Sequence, residues 1–121
     1  MNGGQSVVVS AAGWRRINVN TANATLPLNM GGKQQVQFVP SAAIAAPKTW
    51  VVTNDNNAFE FLFRFTLSGV DAQTLPADFL MTDPLFNPAT NVWTPIDAGD
   101  YEAHGTYDGT NWYLTIVGLY D

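Results

Sequence analysis

His104 is the only histidine in the 121 residues, and the chain has no cysteine. A Ser-His-Asp site would need His104 beside a serine and an acid. It falls instead in an alternating stretch with Glu102 and Thr106 on its own side, where a histidine is ordinarily solvated or turned to an interface. Asp97, Asp100, Glu102 and Asp108 cluster in the sequence and could supply a glycosidase pair. However, Asp97-Ala-Gly-Asp and Asp108-Gly fit turns without further explanation. The same acids lack the regular Asp-x-Asp ladder of a calcium loop. Gly3-Gly4 and Gly31-Gly32 read as turns, since neither belongs to a phosphate-binding motif. One histidine and no thiol cannot close a zinc site. The residues therefore assign no catalytic group, no metal and no cofactor, and the expectation is a protein that is not an enzyme.

The four tryptophans and four tyrosines offer a different chemistry, sugar stacking on exposed rings flanked by Asn and Asp. Trp14, Trp50 and Trp112 occupy period-two positions and read as core fillers. Trp93, beside Pro95 in a loop-rich stretch, reads as exposed. With Tyr101 and Tyr107 it forms the candidate glycan-binding set.

The elements that must position these residues are strands. Trp14–Asn20 and Gln34–Val39 alternate, Thr49–Thr53 is a short apolar run, and a β-branched run, Val7, Val8 and Val9, sits near the start. Gly, Pro and Asn clusters bound each of them at a spacing of about ten residues, the pattern of a sandwich or barrel. Phe59, Phe61, Phe63, Phe65 and Leu67 fall on one face of a single run, which predicts a strand buried in the main core, with Glu60 and Arg64 seeking partners on neighbouring strands or another subunit. Asp71–Asn91 reads as an ordered connection with a short strand near Asp78–Thr82. Val92–Ile96 reads as an edge strand because of Pro95. At most a turn of helix fits Ala42–Ala46 or Ala77–Met81. Asp100–Tyr107 and Thr110–Tyr120 form a hairpin about Asp108-Gly109. The second of these strands is apolar on both faces, so Tyr113, Val117 and Leu119 on its second face need a cover. The expectation is one domain over residues 1–121, all-β, a sandwich of jelly-roll type with eight to ten antiparallel strands.

Composition points to association. Only 12% of residues are charged, about half the usual share of ~25%, so little repulsion keeps copies apart. The net charge of −5 argues against nucleic acid. All five basic residues precede position 65; set against Asp55 and Glu60 they give that half +3, and only acids follow. Mixing of the halves on folding is the simpler outcome, and opposed faces suited to a charged lattice the sharper one. No apolar run approaches the ~18 residues of a membrane helix, and the first ten residues lack the form of a signal peptide. Met1 and the end at Asp121 read as a complete gene product.

The segment Tyr107-Asp108-Gly109-Thr110-Asn111-Trp112-Tyr113 resembles the DGTNWY hairpin of β-rich virion proteins of tailed bacteriophages, notably tail-fibre and head-surface domains. In composition the chain is similar to phage decoration, or cement, proteins. The resemblance covers seven to fifteen residues and carries no catalytic residue. It implies a homo-oligomer on the capsid surface of the virion, made in the host cytoplasm and bound to the major capsid protein. Val7, Val8, Val9, Tyr113, Val117 and Leu119 are the candidate interface. The alternative is a tail-fibre domain that recognises a host glycan through Trp93, Tyr101 and Tyr107.

Overall fold

The computed structural model describes residues 11–119; the expected strand with Val7, Val8 and Val9 lies outside the described residues. The first six strands wind between two layers: β1 (Arg15–Val19), β2 (Thr25–Asn29), β3 (Gln35–Pro40), β4 (Lys48–Thr53), β5 (Glu60–Leu67) and β6 (Gln73–Thr74). Odd strands enter one sheet and even strands the other. Within each layer, successive strands run parallel: β1 with β3, β3 with β5, β2 with β4 and β4 with β6. The chain then changes habit. The strands β7 (Phe79–Leu80), β8 (Phe86–Asn87), β9 (Val92–Trp93), β10 (Gly99–Tyr107) and β11 (Trp112–Gly118) complete the sheets. Here β10 is antiparallel to both β5 and β11, and β9 to both β6 and β8, while β7 lies parallel to the start of β11.

The product is an all-β sandwich with sheets ordered β1-β3-β5-β10-β11-β7 and β2-β4-β6-β9-β8. Two expectations change. The strands number eleven among the described residues, and five of the nine pairings are parallel, so the arrangement is mixed and not that of an antiparallel jelly roll. Alternation along a strand reports which face is buried, and parallel and antiparallel neighbours satisfy it equally. The Ala42–Ala46 segment, read as a possible helical turn, makes an isolated parallel bridge from Ile44 to Leu67 instead.

One apolar cluster fills the space between the layers. Phe61, Phe63, Phe65 and Leu67 of β5 are buried there, as the alternation predicts. Burial of each such side chain contributes about 1.5–3 kcal/mol. Trp50 of β4 meets Phe63 and Phe65 edge-on at centroid distances of 5.6 and 5.7 Å, which locks the layers together. Its indole N–H donates to Oε1 of Gln73 at 2.9 Å, so the one polar atom of the ring is satisfied. Phe59 departs from the row. It precedes β5 and is 58% exposed, because the strand starts at Glu60 and the two-residue period stops there. Gly105 of β10 stands opposite Phe61 of β5, and its missing side chain leaves the room that the Phe61 ring occupies.

Candidate interaction surfaces

The acids and the histidine that could have done chemistry lie mainly on the outer face of the β5–β10 pair. Cross-strand register places Arg64 opposite Glu102, Thr66 opposite Asp100 and Leu62 opposite His104. Each polar group there is engaged with a neighbour. Arg64 Nε donates to Glu102 Oε1 at 2.7 Å, and the Thr66 hydroxyl donates to Asp100 Oδ1 at 2.5 Å. His104 Nε2 lies 2.9 Å from Glu60 Oε2, and Glu60 Oε1 accepts from Gln35 Nε2 at 2.8 Å. Burial pushes the Glu60 carboxyl up, but the hydrogen bonds from His104 and Gln35 and the charge of His104 outweigh it, and the net shift is downward. The partners that Glu60 and Arg64 were expected to find are thus on β3 and β10 of the same chain. Asp97 accepts the Tyr101 hydroxyl at its backbone carbonyl. Asp108 caps the hairpin turn, accepting from the N–H groups of Thr110 and Asn111, while Gly109 takes the positive φ of 96°.

The glycan set is not brought together on a surface. Trp93 is 1% exposed, which overturns the expectation that Pro95 leaves it in the open. Its strand β9 lies between β6 and β8 rather than at an edge, and its ring packs edge-on to Tyr101 at 5.3 Å. Tyr101 is also buried, at 5%. Only Tyr107 reaches solvent. Its ring stacks on Trp112 with centroids 4.7 Å apart, and its hydroxyl is pushed up by burial and by the negative charges of Asp55, Asp78 and Asp108. It borders a cleft of about 390 Å³ together with Gln34, Asn56, Asn57, Phe59 and Asp108. Of those five, Gln34, Asn56 and Asn57 are not singled out by the sequence, Phe59 is expected in the core, and Asp108 is read only as an acid or a turn residue. The five precede or follow strands in three separate segments, and only the parallel β3–β5 pairing and the antiparallel β5–β10 pairing gather them.

The described interface residues lie on or just beyond β11. Tyr113 is 47% exposed and donates its hydroxyl to Asp108 Oδ2. Val117 and Leu119 are half-buried. Leu80, 43% exposed, and Met81 join Tyr113 around a shallow hollow of about 340 Å³. Leu119 lies apart, over a second hollow of about 290 Å³ shared with Pro40, Ala42, Arg64 and Asp100. The edges of the sandwich differ in character. Strand β1 carries exposed Arg15 and Arg16, and β2 carries Pro27, both ordinary ways to blunt an edge. Strand β11 carries no charge, and β7 covers it only at Trp112 and Tyr113.

No family model, no curated protein and no solved structure matches this chain.

Proposed function

We propose that this protein is a structural component of a tailed-bacteriophage virion, a decoration or cement protein that binds major capsid subunits and associates with copies of itself. One observation carries the reading. The β11 side of the larger sheet presents a strip of uncharged side chains, with Tyr113 and Leu80 exposed beside half-buried Met81, where a solitary protein would place lysines or proline. The low charge of the chain and the phage-like Tyr107–Tyr113 hairpin support the same conclusion. Function then follows from many modest contacts repeated by symmetry, which together stiffen a shell.

The test is co-sedimentation with heads of the phage that carries the gene, together with the melting temperature of those heads. The expected result is binding that raises the head melting temperature and is lost in a Leu80→Glu, Tyr113→Glu double variant that stays folded. Free protein left in the supernatant, with an unchanged head melting temperature, overturns the reading.

A further inference from the structure

A second surface is built for a different ligand. The walls of the Phe59–Tyr107 cleft are tied by main-chain bonds: Phe59 N–H donates to Gln34 C=O, and Tyr107 N–H to Phe59 C=O, both at 2.8 Å. The Tyr107 ring is backed by Trp112, whose indole N–H is held by Asp55 Oδ2 at 3.1 Å. The backbone of both walls and the Tyr107 ring therefore stand in place before any ligand arrives, which lowers the ordering cost of binding. Phe59 is the most exposed aromatic side chain among the described residues, at 58%. Such a ring leaves apolar surface in water that a ligand can cover.

Around the two rings stand three carboxamides. Asn57 reaches the Gly32 carbonyl at 3.4 Å, whereas the side chains of Gln34 and Asn56 make no hydrogen bond to another described residue. Each carboxamide offers a donor and an acceptor side by side, the pattern that adjacent hydroxyls on a ring require. Asp108 is already engaged by the turn and by Tyr113. Among the described residues no cationic side chain lines the cleft, and Asp55, Asp78 and Asp108 surround Tyr107 with negative charge. An anionic ligand is therefore disfavoured. The volume of about 390 Å³ lies within the range of small-ligand pockets, about 300–1,000 Å³.

We infer that this cleft binds an uncharged hexopyranose, with a C–H face of the sugar on Phe59 and Tyr107 and its hydroxyls on Gln34, Asn56 and Asn57. The inference does not depend on capsid docking, since none of these side chains belongs to the Leu80–Tyr113 strip.

Saturation-transfer NMR on the full chain tests it with methyl glycosides of glucose, galactose, mannose and N-acetylglucosamine, and with glucuronate as the anionic control. At least one neutral glycoside is expected to saturate, most strongly at the protons of one ring face, and glucuronate is expected to stay silent. Phe59→Ala and Asn56→Ala alter exposed side chains and should keep the wild-type melting temperature while weakening binding at least tenfold. Silence from all four neutral sugars, equal binding of glucuronate, or undiminished binding in both variants overturns the assignment.

Discussion

The Arg64 guanidinium and the Glu102 carboxylate meet across β5 and β10 at 2.7 Å from opposite media: the arginine side chain is 51% exposed and the glutamate side chain 4%. Removing the two partners is therefore unequal. Arg64→Ala strands a buried carboxylate and should lower the unfolding free energy by about 1–3 kcal/mol, less than for a fully buried pair because water already shares the guanidinium. Glu102→Gln keeps an acceptor of the same shape and should lose clearly less. Urea denaturation of the two variants checks the order.

Gly105 is a packing requirement. A Cβ at this position would stand 2.5 Å from Cε2 of the wholly buried Phe61 ring. Gly105→Ala should destabilise the protein by about 1–3 kcal/mol through overpacking. Adding Phe61→Leu to that background should cost less than Phe61→Leu costs alone, a coupling that a double-mutant cycle measures.

Gln73 is the buried acceptor for the Trp50 indole and also donates to the Asp71 carbonyl. Gln73→Met preserves volume but orphans the indole N–H in the core. The expected loss is about 1–3 kcal/mol, read as a lower urea midpoint with an unchanged denaturant slope.

The Glu60–His104–Gln35 group makes stability depend on acidity. The Glu60 pKa is lowered from its ordinary 4.5 in the folded chain. The unfolded chain therefore binds this proton first, so the contribution of Glu60 is complete above the ordinary glutamate range and drains away as pH falls through the depressed value. Thermal melting between about pH 5 and pH 3 should fall more steeply in the wild type than in Glu60→Gln.

Much of the strand content was legible because period-two alternation follows directly from one buried face: β5, β10 and β11 stand where Phe61–Leu67, Tyr101–Tyr107 and Trp112–Ile116 alternate, and Asp108-Gly109 makes the turn. Three things were not legible. Pro27 concealed β2, which tolerates it as an edge strand. Pro95 made Trp93 look exposed, although β9 ends at Trp93 before the proline can disturb its pairing. The parallel winding left no trace in the alternation, because the choice of neighbour is made by distant segments. The same limit governed the cleft: Tyr107 could be singled out by type, whereas Asn56 becomes its neighbour only when β5 and β10 pair, and Gln34 only when β3 joins β5 as well.

The winding of β1 through β6 also bears on how the chain reaches its native state. Each parallel pair must close a long loop before any contact rewards it, and β5 gains its second neighbour only once β10 has been made. Refolding should therefore fall in the slow, millisecond-to-second regime of non-local topologies. A nascent chain halted before Gly99 would hold Phe61, Phe63 and Phe65 along an unzipped margin, so the final hairpin acts as the latch that ends its exposure to aggregation.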